Sequence, residues 1–185
     1  MINENTKRLS RTSLYARARA IKRVRFGDPV RRVFTVRDIS RGTPEGEITP
    51  WLNERLGDQA NLPMLYCLTV SEVEVATALR EAFVQARNVR PKECALPRDN
   101  ELHPNGTTLY VGRSQNIRSR LRQHLWQAPQ TTYALNMHRW CPDIVGHVTV
   151  SVQPVLGQAG NEAVQDLEDT LWKTLLPIFG RSGSR

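Results

Sequence analysis

Cysteine is scarce in this chain. The three present, Cys67, Cys94 and Cys141, are odd in number and widely spaced. That excludes a disulfide framework and points to a reducing compartment. No C-x-x-C pair accompanies them, so a zinc site drawn from these cysteines with His138 and His147 is not expected. No apolar run approaches the roughly 18 residues that mark a membrane-spanning helix. The basic N-terminus lacks the apolar stretch that a secretory leader needs. A cytoplasmic protein with no membrane partner is therefore expected. Phosphate-loop and dinucleotide fingerprints are missing, as are internal repeats and low-complexity tracts. What is present is a 185-residue chain, 39% hydrophobic and 24% charged. That suits one packed domain with an appendage.

Acidic residues are short at one end only. Residues 1–41 hold 12 Lys+Arg against three acids, whereas residues 42–185 hold 14 against 15. The N-terminal fifth thus supplies the whole net charge of +8. It reads as a basic arm over 1–41 that meets a polyanion through counterion release. Lys22, Arg23 and Arg25 are its candidate DNA contacts. A solvated tail with no specific partner is the competing reading. Segment 5–26 predicts a helix with a thin apolar stripe (Leu14, Ala18, Ile21), while Val33, Phe34, Val36 and Ile39 have the character of a strand that packs on the domain. Deletion of 1–41 is expected to weaken DNA binding and leave the rest folded.

Beyond the arm, residues 42–61 read as a linker, loop-like through 50, with one short helix over 51–58. Residues 63–70 form a short apolar run, the mark of a buried strand. Ser71 and Glu74 have capping-box spacing, and Val75, Leu79, Ala82, Phe83 and Ala86 lie on one face of the helix that follows. Three prolines and Asn105-Gly106 make 90–106 a loop that ends in a turn. A strand is expected over 107–112 and a helix over 116–126, with Ile117, Leu121 and Leu125 four residues apart. Residues 127–143 are irregular. Alternating valines predict a half-exposed strand over 147–153. Asn161 is the expected cap of a helix over 162–176, which Pro177 ends. The sum is a mixed α/β (α+β) domain of about three strands.

The stretch Tyr110-Val111-Gly112 ends a strand on a glycine, and Arg120 and His124 follow four residues apart on one helical face. By spacing alone such a pair is a plausible phosphate site and more commonly a solvated face. The stretch resembles the second half of the GIY-YIG nuclease signature: a Tyr-Val-Gly strand, an Arg eight residues after the glycine and a His four further on. Ser114 and Asn116 occupy its polar turn. The late helix matches too, with Leu167-Glu168, Leu171, and Pro177 nine residues after Glu168. Met64-Leu65-Tyr66 is the candidate for the first half. Met64 stands where the family has glycine, and Gly180 where it often has asparagine.

The resemblance spans residues 62–180, with an insertion at about 70–106 where the family has a short connection. It implies a three-stranded antiparallel sheet flanked by helices, here with an inserted helix. It further implies a metal-dependent DNA endonuclease, restriction-like or linked to phage or mobile elements. Tyr66, Tyr110, Arg120, His124 and Glu168 are then the catalytic candidates. Glu168 would hold one divalent cation, Mg²⁺ by its chemistry. Arg120 would neutralise phosphoryl charge. Tyr66 or Tyr110 would activate water, its pKa lowered by a cation-rich site, and His124 would orient the tyrosine or take its proton. Gly112, Arg113, Ser114 and Arg118 are further candidate nucleic-acid contacts. The alternative is a catalytically impaired nucleic-acid-binding protein on the same fold.

Overall fold

The computed structural model describes residues 3–89, 95–101, 103, 106–157 and 160–183. Cys94 and Asn105, the first residue of the expected turn, lie outside them. The elements run α1 (Glu4–Arg23), β1 (Arg25–Phe26), β2 (Val30–Thr35), α2 (Val36–Arg41), α3 (Pro44–Leu56), β3 (Met64–Val70), α4 (Val73–Val89), β4 (Thr108–Ser114), α5 (Ile117–Leu125), β5 (His147–Leu156) and α6 (Asn161–Leu175). Short 3-10 turns occupy Gly57–Asn61 and Met137–Arg139.

All strand pairs are antiparallel. β3 sits between β4 and β5, and the far edge of β5 takes β2 over Val30–Thr35 and β1 at Arg25 and Phe26. The sheet thus has five strands rather than the three expected. The extra two come from the segment read as part of the arm. Phe34, Val36 and Ile39 carry this segment into the core, at 3%, 0% and 0% exposure. β2 ends where the Thr35 side chain accepts a hydrogen bond from Asp38 N and caps α2, so Val36 and Ile39 are helical, not strand. Charge counted along a chain says nothing about which residues between the charges are apolar, and here those residues decide. Among the described helices, α1 alone has no buried residue. It lies along α6, tied there by Arg17 to Asp166.

The linker reading of 42–61 also changes. α3 begins at Pro44, a position in the first turn that needs no backbone donor. Pro50 lies inside the helix and costs about 3 kcal/mol there. Burial of Ile48, Trp51, Leu52 and Leu56 offsets this at about 1.5–3 kcal/mol each. At the other end, α6 starts at Asn161, its cap position is Gly160, and Asn161 instead accepts from Gln115 Nε2 at 3.0 Å. The main core lies on one face of the sheet under α2, α3, α4 and α5. A small cluster, Leu65, Val155 and Val164, joins α6 to the other face.

Removing residues 3–23 should change the melting temperature only slightly, because no residue of α1 enters the core and its main tie is the Arg17–Asp166 pair. Phe34→Ala should cost about 3–5 kcal/mol, and deletion of 1–41 should abolish the cooperative thermal transition. Circular dichroism melts of the three variants test this. A cooperative melt after the 1–41 deletion would show that β2 and α2 are dispensable.

Candidate active site

β3 and β4 place Tyr66 directly opposite Gly112. Glycine is required there, since a Cβ at 112 would collide with the Tyr66 hydroxyl and lie 3.0 Å from Tyr110 Cε1. The space so left holds a buried polar network. Arg120 Nε donates to Tyr66 Oη at 3.1 Å, and Arg120 Nη2 reaches Tyr110 Oη at 3.4 Å. His124 Nε2 is 2.9 Å from Tyr66 Oη. The backbone N–H of Leu135 donates to His124 Nδ1 at 3.2 Å. That donor leaves Nδ1 without a proton, so a neutral imidazole carries its hydrogen on Nε2 and donates it to Tyr66. Burial, then the Arg120 charge, holds the His124 pKa well below 6.5, which keeps the ring neutral. His124 is therefore an orienting donor, and the expectation that it takes the tyrosine's proton is corrected.

The tyrosines form two layers. Tyr66 is 2% exposed. Tyr110 stacks on it with ring centroids 6.2 Å apart and lines a cleft of about 470 Å³ together with Arg120 and Glu168. Burial raises the pKa of both phenols; Tyr110 adds to the rise at Tyr66, Arg120 opposes it at both, and Glu168 adds to both. The expected lowering is thus reversed in the free protein. Desolvation of a phenolate in this packed site outweighs the single nearby guanidinium.

Glu168 approaches from α6, on the other face of the sheet. Its Oε2 is 3.2 Å from Arg113 Nε and accepts from Gln165 Nε2 at 3.1 Å, while Arg113 Nε also donates to Gln165 Oε1 at 3.0 Å. Burial raises the Glu168 pKa, opposed by Arg113. Among the described residues no group of three or more His, Cys, Asp or Glu is placed to hold a metal ion. The donor set still fits a hard cation held jointly: one carboxylate at a cleft wall, with phosphate oxygens and water to complete the shell, is an ordinary Mg²⁺ arrangement.

The remaining candidates separate. Gly112 shapes the tyrosine pocket, Arg113 pairs with Glu168, and Ser114 Oγ accepts from Asn116 N at 3.0 Å. Arg118 is held by Asn53 Oδ1 and Asn61 Oδ1, both at 2.9 Å. Lys22, Arg23 and Arg25 are exposed and do not line the cleft. Gly180 has φ +101°, and a Cβ there would press on Tyr110 at 3.1 Å, so backbone geometry accounts for glycine where the resemblance expects asparagine. Sequence reading missed Gln165, Arg87, Arg98, Arg181 and Tyr133. Only Gln165, one helical turn before Glu168, carried a local signal. Comparison with protein-family models, curated proteins and solved structures returned no match to this chain.

Gly112→Ala should destabilise the protein by about 1–3 kcal/mol through overpacking, read by denaturant unfolding. A stability equal to wild type would show that Tyr66 does not need the space.

A pH prediction follows from His124. The folded state holds it neutral, whereas the unfolded chain takes its proton near the ordinary value of about 6.5. Stability is full above that pH and falls as pH drops through it. Glu168 is shifted in the opposite sense, but it is common to both proteins compared. The melting temperature of wild type should therefore fall more steeply than that of His124→Gln between about pH 7 and about pH 5.5. Parallel slopes would show that His124 is not held neutral.

Proposed function

We propose that this protein is a metal-dependent endonuclease that hydrolyses phosphodiester bonds in DNA, on a GIY-YIG-type site. Tyr110, Arg120 and Glu168 line one cleft, with Tyr66 and His124 buried behind Arg120 and Tyr110, and this convergence carries the reading. Tyr110 follows Tyr66 by 44 positions and Glu168 follows it by 102, yet these residues meet at the edge strand β4. The resemblance of the Tyr-Val-Gly strand, the Arg/His helix and the Glu helix to that signature supports it.

A scissile phosphate in the cleft would face Arg120, whose guanidinium is already aimed by Tyr66, Tyr110 and Gln123. Its fixed charge would stabilise the extra negative charge of the pentavalent transition state. The attacking water would hydrogen-bond to Tyr110 Oη, the one phenol oxygen of the pair that lines the cleft. Tyr66 and His124 lie behind and hold Arg120 and Tyr110 in place; their role is positioning. Glu168 would hold a divalent cation, which when bound would polarise the phosphate and cancel the carboxylate's upward push on the Tyr110 pKa. The new P–O bond forms from the water, which gives up a proton to solvent; the scissile P–O bond breaks on the opposite side, and the leaving oxygen takes a proton from solvent.

Plasmid nicking with Mg²⁺ and with a chelator tests the reading. Glu168→Gln should melt like wild type and lose about 100-fold or more in rate. Arg120→Ala should lower kcat by about 100-fold or more with a smaller change in DNA affinity. Unchanged cleavage by Glu168→Gln removes the metal role. DNA binding without cleavage by wild type in Mg²⁺ or Mn²⁺ would favour the catalytically impaired alternative.

A further inference from the structure

Most cleft-side and domain arginines already have partners. Arg80 pairs with Asp99, Arg113 with Glu168, Arg122 with Glu45 and Arg37 with Asp143. Arg87, Arg98 and Arg181 differ. They are exposed, carry no ion pair among the described residues, and line the same cleft as Tyr110, Arg120 and Glu168. They come from three stretches: α4, the segment after it, and the C-terminal segment after α6. Specific contacts hold these stretches together. Arg80 grips Asp99 through two hydrogen bonds of 2.8 Å each, Asn100 Nδ2 donates to Pro177 O at 2.7 Å, and Gly180 N donates to Arg98 O at 2.8 Å. Unpaired guanidinium groups gathered beside one carboxylate repel one another, and an anion relieves that repulsion. Beside them stands Tyr133, 68% exposed, an aromatic ring with an open face on the same cleft.

We infer that α4, the segment after it and the C-terminal segment form a wall that grips the substrate strand. Arg87, Arg98 and Arg181 bind phosphates on either side of the one cleaved, and Tyr133 stacks on a base. This deepens the nuclease reading, on which it rests, by naming what holds the strand. Guanidinium groups next to an open aromatic match the alternation of phosphate and base in a nucleic-acid strand. An isolated phosphate or a polyphosphate has nothing to place on Tyr133. The wall also gives a role to the insertion, which the catalytic residues do not use.

The test is fluorescence anisotropy with the full chain and a labelled oligonucleotide in chelator, so that binding is read without turnover. The triple variant Arg87→Ala, Arg98→Ala, Arg181→Ala should melt like wild type. Its slope of log affinity against log salt should shrink by about 0.7 to 0.9 for each phosphate that an arginine no longer neutralises. Tyr133→Ala should weaken binding about fivefold or more at an unchanged slope, and Tyr133→Phe should restore it. Arg55→Ala, on α3 outside the cleft, should change neither. Inorganic tripolyphosphate should compete far less well than unlabelled oligonucleotide. A wild-type slope and affinity in the folded triple variant overturns the wall. So does a silent Tyr133→Ala combined with equal competition by tripolyphosphate. Loss of binding in the triple variant without any cleavage by wild type would sink the nuclease reading and keep the wall. Cleavage by wild type with unaltered binding by the triple variant would do the reverse.

Discussion

A phenol oxygen buried at the sheet surface must have its lone pairs satisfied, and Tyr66 meets this with two donors, Arg120 Nε and His124 Nε2. The rest of the site depends on that arrangement. The two donors fix where Arg120 sits, and Arg120 in turn reaches Tyr110 at the cleft. The arrangement holds only because Leu135 N–H occupies His124 Nδ1 and so selects the tautomer that donates to the tyrosine. It also needs the space that Gly112 leaves open. A buried network of this kind rigidifies its members when every one is satisfied and fails as a unit when one is removed.

The supports of this network lie in chain that has no regular structure. The loop that presents Leu135 is pinned by the fully buried Asn136, which accepts from Ala128 N at 2.7 Å and donates to Ala134 O at 3.0 Å. Asn136 does so at φ 51°, a left-handed conformation that asparagine tolerates better than most residues. Trp140 Nε1 adds a hydrogen bond to Leu135 O. An irregular segment thus acts as a rigid brace, because these polar groups are committed to buried partners.

Charge is divided between structure and the cleft. Arg17, Arg113 and Arg118 hold elements together through acids and amides. Arg11, Arg19, Lys22 and Arg23 of α1 and Arg87, Arg98 and Arg181 of the cleft have no ion pair among the described residues. Local charge counts do not separate these two uses, since an arginine's partner is set by what the fold brings next to it.

The sequence by itself determined the elements that bear a strong local period. β3, α4, β4, α5, β5 and α6 were legible because apolar residues recur at the spacing of a strand or helix that must bury one face. Tyr110, Gly112, Arg120, His124 and Glu168 stood out through a resemblance to one signature. Tertiary structure decided the rest. The strand character of Val33 and Phe34 was legible, but that Val30–Thr35 pairs with β5 and that Val36 and Ile39 turn helical was decided by the fold. Pro44 and Pro50 looked like a loop until Ile48, Trp51 and Leu52 found a core to enter. The raised phenol pKa values, the tautomer of His124 and the meeting of Arg87, Arg98 and Arg181 arise from burial and from neighbours remote in sequence. Such quantities belong to the packed environment, and a linear pattern carries no record of it.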